Sequence, residues 1–445
     1  MPSEAIKASE PIKTSELITN IGELMTQDPE HRVLRDAALV LEGERISWIG
    51  PAAQAPAADA VTDAAGQAVL PGWVDSHNHL VFAGDRTAEF EARMSPPAPT
   101  VRGLTAGPSP SGAPGHYVPS GIAVTVGATR ESSDAQLESL ARQRVVEAVS
   151  QGTTYLESKT GYGLDVEHER RSARIAARVA DEVTFLGAHL VPAGWDADEY
   201  TDLVCGPMLA AVRPWVSWAD VFCERGAFDE AQSRRVLAAC QAAGLGLRVH
   251  GNQLGPGPGV RLAVEFGAAS VDHLNYLEDS DVAALAGTWG AGAPAGELPG
   301  TGLGTVATCL PACDLSTRQP LAPARRLLDA GVPVALAANC NPGTSFTTSM
   351  PYCVTTAVLQ MGLSVHEAVR AATWGGALAL RRHVGEDLDG QRAVGSIAVG
   401  HRADLQLFAA PSATHLAYRP GVPLTRAVWR AGRQVVGGRA EAAGA

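Results

Sequence analysis

Short apolar, β-branched runs recur along the chain at Val69–Val74, Thr153–Lys159, Val183–His189, Trp218–Cys223, Leu245–His250, Ala268–His273, Gly304–Leu310 and Val332–Ala338. Between them lie stretches whose apolar residues return at i, i+3 and i+4, notably Asp134–Val149, Asp165–Asp181 and Asp229–Ala243. β units that alternate with amphipathic helices predict an α/β fold, a (β/α)8 TIM-type barrel over residues 71–379. The flanks are patterned differently: 17–68 and 394–437 read as short strands and turns, as in ALVLEGERISWIG and VGSIAVGHRADLQLF. Residues 1–70 and 380–445 are therefore predicted to pair as one small composite β-sandwich domain. Two Pro- and Gly-rich stretches, 95–115 and 288–304, read as loops, and the first follows the first barrel strand on the side where such barrels do chemistry, as a lid or a plain insertion.

Composition narrows the function classes. A chain of 445 residues that is 46% hydrophobic and 18% charged can bury a large core and exceeds the usual size of one domain. A net charge of −12 without any basic stripe excludes a nucleic-acid surface, which needs clustered Lys and Arg to neutralise phosphates. The N-terminus MPSEAIKASEPIKTSELITN has no apolar leader core, and no apolar run reaches the roughly 18 residues a membrane span needs. A soluble, cytoplasmic protein with no membrane partner is expected. Cys205, Cys223, Cys240, Cys309, Cys313, Cys340 and Cys353 are scattered and odd in number, which suits reduced thiols. Cys309 and Cys313 lack a partner pair and fall in an apolar strand, so they read as buried thiols rather than metal ligands.

The candidate chemistry sits at the C-terminal ends of the strand runs. His77, His79, His189, His250, His273 and Asn339 all lie there, outlining a mononuclear metal hydrolase site. Alternate residues on a strand share one face, so His77 and His79 can both point into the barrel mouth. Neutral imidazole is the commonest ligand of divalent transition metals. An isolated HxH is weak evidence, but this one ends a strand behind a Pro-Gly turn, and His250 closes another strand. His273 is either a fourth ligand or an acid/base partner for the attacking water. Asn339 stands where a hydrolase wants a carboxylate that both binds metal and takes a proton, and a carboxamide does only the first.

Eight segments, LPGWVDSHNHLVFAGDR, YLESKTGYGLD, FLGAHLVP, DVFCERGAF, RVHGNQL, ASVDHLNYL, LLDAGVPVALAANCNPGTSFTTSMP and GSIAVGHRADL, resemble the imidazolonepropionases. These are cyclic-amide hydrolases of histidine degradation in the amidohydrolase superfamily. The resemblance implies one divalent metal, zinc or iron, on His77, His79 and His250, with Asn339 at the position of the family's aspartate. It implies a metal-activated water attacking the ring carbonyl of 4-imidazolone-5-propanoate to give N-formimino-L-glutamate. It also implies a catalytic set of His273, Asn339, Gln253 and His189. Arg86, Tyr117, Tyr162, His189 and Gln253 would contact substrate, while the turn through Asn341, Gly343 and Thr344 would hold the propionate carboxylate. A homodimer follows from the same resemblance.

Two family carboxylates are amides here: the usual HxxE becomes His250-Gly251-Asn252-Gln253, and the usual Thr-Asp becomes Ala338-Asn339. The second-strand SKS-type motif reads Ser158-Lys159-Thr160. Three readings stand side by side: a hydrolase opening a cyclic amide or amidine, a divergent relative acting on a related heterocycle in specialised metabolism, and a catalytically silent binding protein.

Overall fold

The computed structural model describes residues 15–95, 121–290, 304–384 and 392–437. Apart from Ser95, the expected lid at 95–115 lies outside the described residues, as does Tyr117 and most of 288–304. Eight parallel strands follow one another around a barrel: β1 (Trp73–Asp75), β2 (Thr153–Lys159), β3 (Glu182–Ala188), β4 (Trp218–Cys223), β5 (Gly246–Gly251), β6 (Ser270–His273), β7 (Val306–Cys309) and β8 (Val334–Leu336). Each pairs with its sequence neighbour, as expected when a helix carries the chain from one parallel strand to the next.

The seam between β1 and β8 is closed beyond the strand ends, at the mouth. The Asn339 N–H donates to the His77 carbonyl at 2.9 Å and the His79 N–H to the Cys340 carbonyl at 3.0 Å. Two side chains complete the seam: Asp75 accepts the Ala338 N–H at 3.0 Å, and the Asn78 amide oxygen accepts the Cys340 N–H at 2.8 Å. The HxH segment and the Asn339 segment are thus sewn to each other.

The predicted run Val69–Val74 divides in two. Ala68–Pro71 pairs antiparallel with Leu405–Phe408 in an outer sheet, and only Trp73–Asp75 enters the barrel. The partner changes at Gly72, whose N–H donates to Asp404 at 3.1 Å while the Trp73 N–H goes to Gly152 at 2.9 Å. A Cβ on Gly72 would strike the Thr154 side chain, so the crossing point admits no larger residue. Both halves are apolar and contiguous, which is why one strand was expected.

Helix starts follow local sequence closely. Ser133 and Gln136 form a capping box for Asp134–Ser150, Asp229 and Gln232 do the same for Glu230–Ala242, and Asp165 caps Val166–Ala176. The last of these stops short of Asp181, because Asp181 is drawn into the sheet: its N–H donates to the Leu156 carbonyl and its carboxylate accepts the Leu156 N–H.

Strands from both ends of the chain build two further sheets. One holds Ser15–Ile21, Ala37–Glu42, Arg45–Pro51 and Ala60–Asp63, and the other holds Glu23–Met25, Val33–Leu34, Ala68–Pro71, Leu405–Phe408, Thr425–Arg430 and Arg433–Val436. Ile18, Leu39, Leu41, Val69, Leu405, Leu407 and Trp429 bury one shared apolar core. Among the described residues no helix is long and apolar enough to cross a membrane.

Candidate active site

His77 and His79 follow β1, His189 follows β3, His250 lies in β5 and His273 ends β6, and all five are buried. The His77 ring centroid lies 4.5 Å from that of His250, 5.4 Å from His79 and 5.7 Å from His273. His189 stacks on His79 at 5.5 Å, and Tyr162 stands 5.4 Å from His189. One ligand atom from each of His77, His79 and His250 falls within 4.8 Å of the others. Burial, followed by neighbouring positive charge, pushes the pKa values of His77, His79 and His273 well below the ordinary imidazole value. The rings are therefore neutral and keep a lone pair at neutral pH. In His189 burial lowers it to about 4. Its Nδ1 lies 2.9 Å from the Gly161 carbonyl, which only accepts, so Nδ1 carries the proton and Nε2 is left as the acceptor.

Beneath the histidines lies a layer of charge buried completely inside the barrel. Lys159 Nζ lies 3.1 Å from Glu157, 2.9 Å from Asp220 and 3.9 Å from Asp272, while Arg248 reaches Asp272 at 3.1 Å. Two of these carboxylates turn upward. Asp272 Oδ2 lies 2.6 Å from His77 Nδ1, and Asp220 Oδ2 lies 3.0 Å from His250 Nδ1. Burial opposes ionisation of both acids, but Arg248 and His77 for Asp272, and His250 and Lys159 for Asp220, hold them far below the usual carboxylate range. An ionised Asp272 fixes the proton of His77 on Nδ1 and aims Nε2 at the shared centre, the arrangement in which carboxylates orient metal-binding imidazoles. Three carboxylates against two cations leave this layer formally negative beneath the histidines.

The residues suit a metal on grounds of their own hydrogen bonding. His77 Nε2 and His79 Nδ1 are buried without a hydrogen-bond partner among the described residues. An unsatisfied buried acceptor costs about 1–3 kcal/mol, and a borderline divalent cation above an anionic layer relieves it.

Around this centre the structure gathers most of the expected substrate residues. The Arg86 guanidinium lies against Gly343, where a Cβ would collide with it, and makes a fork of 2.8 and 2.7 Å bonds to Glu89. The Asn341 turn uses its donors internally: Asn341 Oδ1 accepts the Gly343 N–H at 2.9 Å and the Thr344 N–H at 2.8 Å. Those backbone groups were expected to serve a ligand carboxylate and are instead engaged within the turn. Asn339, 2% exposed, receives Asn341 Nδ2 at 3.2 Å on its side-chain oxygen. Gln253 Nε2 reaches Cys313 Sγ at 3.7 Å. Cys313 is not in a strand, as expected, but in the short helix Pro311–Thr317 after β7.

Reading the histidines alone missed Glu157, Lys159, Asp220, Arg248 and Asp272. A signal for them existed: each is a charged residue inside an apolar strand run, and a charge buried there must be paired.

The amidohydrolase family profile matches residues 68–435. The chain is 75% identical over 418 residues to an imidazolonepropionase of Arthrobacter sp. strain FB24, covering 94% of this chain and 99% of that relative. It is 62% identical over 424 residues to an imidazolonepropionase of Saccharopolyspora erythraea, covering 95% and 100%. In fold it matches a variant of atrazine chlorohydrolase from Arthrobacter aurescens TC1, complexed with zinc and atraton, at a TM-score of 0.67 and 17% identity, covering 95% of each chain. With a family match over most of its length and relatives this similar across their whole length, the chain belongs to the amidohydrolase family and, within it, to the imidazolonepropionases.

Proposed function

We propose that this protein hydrolyses the ring amide of 4-imidazolone-5-propanoate to N-formimino-L-glutamate, with one zinc or iron ion held by His77, His79 and His250 and touched by the Asn339 carboxamide oxygen. The observation that carries this reading is the convergence of three buried imidazoles, two of them backed by carboxylates, at the C-terminal mouth of the barrel. Membership of the imidazolonepropionases supports the substrate. When bound, the ion supplies Lewis acidity that polarises water and the ring carbonyl.

The chain's own residues do the rest. Water adds its oxygen to the ring carbonyl carbon, the C–N bond breaks, and the departing nitrogen takes up a proton. His273, neutral and 5.2 Å from His250 between ring centroids, accepts the water's proton and returns it to that nitrogen. His189 offers Nε2 and Tyr162 its ring face to the heterocycle, and Gln253 supplies an amide to the lactam edge. The propionate carboxylate takes the place of Glu89 on the Arg86 fork, beside Gly343.

Gly343→Ala is expected to push the Arg86 guanidinium aside. Losing a hydrogen bond to charge is worth about 1.5–3 kcal/mol, so KM should rise roughly 10- to 100-fold with kcat little changed. Steady-state kinetics checks this, and an unchanged KM removes Arg86 from the carboxylate site.

The reading is tested by removing metal with a chelator and restoring one equivalent of zinc or iron while following ring opening. Turnover that vanishes and returns with whole-number metal supports it. Full occupancy without ring opening sinks it and favours a relative acting on another heterocycle, which the Asn339 carboxamide specifically motivates. A cytoplasmic homodimer is part of the same proposal, and the solution mass by light scattering tests the dimer.

A further inference from the structure

His273 ends β6, and Cys313 and Asp314 open the short helix after the adjacent β7, so neighbouring strands deliver three ligand-type side chains to one place. One ligand atom from each lies within 4.8 Å of the others. His273, Cys313 and Asp314 are 2%, 0% and 1% exposed. Two of the three carry unanswered polarity: His273 Nδ1 and Asp314 Oδ1 have no hydrogen-bond partner among the described residues, while Asp314 Oδ2 accepts the Ala322 N–H at 3.2 Å. An imidazole nitrogen, a carboxylate oxygen and a thiol buried facing one another are a donor set for a thiophilic divalent cation. None of these three belongs to the His77, His79 and His250 set.

We propose that His273, Cys313 and Asp314 form a second site, for a cation of the zinc class, whose occupancy blocks turnover. On binding, the Cys313 S–H bond breaks, its proton passes to solvent, and the sulfur–metal bond forms with no change of oxidation state. The block has two causes, and this part rests on the hydrolase reading above. The cation takes the lone pair of His273, which that reading assigns to proton transfer. It also anchors Cys313, which receives Gln253 Nε2 at 3.7 Å, and that reading assigns Gln253 to the lactam edge of the ligand.

The test uses Co(II) on full-length, metal-depleted protein, with zinc for the rate measurements. The histidine site has only nitrogen and oxygen donors and gives weak visible bands, whereas a thiolate ligand adds an intense near-ultraviolet charge-transfer band. That band is expected in the wild type and in Cys205→Ser, whose cysteine lies elsewhere in the fold, and is expected to be absent in Cys313→Ser. The visible bands retained by Cys313→Ser show that the variant is folded and still binds at the histidines. Asp314→Asn should weaken the thiolate-site cation by more than the roughly 10- to 100-fold that loss of an outer-shell partner costs. Binding without a charge-transfer band, or a band that survives Cys313→Ser, overturns the site. In the wild type, zinc beyond the first equivalent should lower turnover more than tenfold; a band with an undiminished rate overturns the block. If the one-equivalent enzyme opens no ring at all, the hydrolase reading fails while the cobalt band still decides the site.

Discussion

Replacing Asn339 by aspartate should raise turnover of 4-imidazolone-5-propanoate by on the order of 10²- to 10⁴-fold, the usual contribution of a positioned general base. The substitution is nearly isosteric, and the backbone is already held for it. The Asn339 N–H is tied to the His77 carbonyl at 2.9 Å, and its φ of 54° lies in the left-handed region that Asn and Asp both tolerate. Asn341 Nδ2 and Cys313 both face the side chain, so a carboxylate there finds donors waiting. Burial next to neutral histidines disfavours the new charge until a cation is present, so metal affinity and turnover should rise together. A kcat/KM profile that gains an acidic limb identifies the carboxylate as the base. A rate that stays flat in a fully metallated variant points to a different heterocycle as the natural substrate.

Lys159→Met should cost about 3–5 kcal/mol of stability, because it leaves Glu157 and Asp220 buried without their counter-charge while Arg248 still faces Asp272. Lys159 is the cation within 4.0 Å of Glu157, Asp220 and Asp272 together, and all four side chains are fully buried. The damage reaches the centre, since Asp220 and Asp272 are the groups that hold His250 and His77. Denaturant unfolding measures the loss, with Arg142→Ala as a control: Arg142 pairs with Glu138 on an exposed helix, and such pairs are worth about 0–1 kcal/mol. If the two variants unfold at the same midpoint, the buried layer is not what stabilises the barrel mouth.

Both expectations draw on residues of very different legibility. The five histidines and Asn339 could be found in the chain because strand ends are marked locally, by an apolar run stopping at a polar residue. The starts of Asp134–Ser150 and Glu230–Ala242 carry an equally local signal, a Ser or Asp followed three residues later by Gln, which periodicity alone does not use. Glu157, Lys159, Asp220, Arg248 and Asp272 were visible as charges inside apolar runs, but nothing local says which of them pair.

Other features existed only once the chain had closed. The division of Val69–Val74 at Gly72 depends on Asp404 and Gly152 competing for adjacent N–H groups from distant parts of the chain. Cys313 read as an inert thiol because its neighbours His273, Gln253 and Asn339 are far away in sequence, and the stacking of β6 beside β7 brings it to them. The Asn341 turn read as an anion cradle because its donors are plain in the sequence, while their internal use by Asn341 Oδ1 is a matter of geometry.

The amino-acid order by itself therefore determined the barrel and the position of the histidines at its mouth, since periodicity and strand ends are short-range properties of the chain, while the family chemistry came from the resemblance of its motifs. Tertiary structure alone decided which buried donors and acceptors are answered and which are left open, because each group buried away from water takes whichever partner the closed barrel puts within about 3 Å.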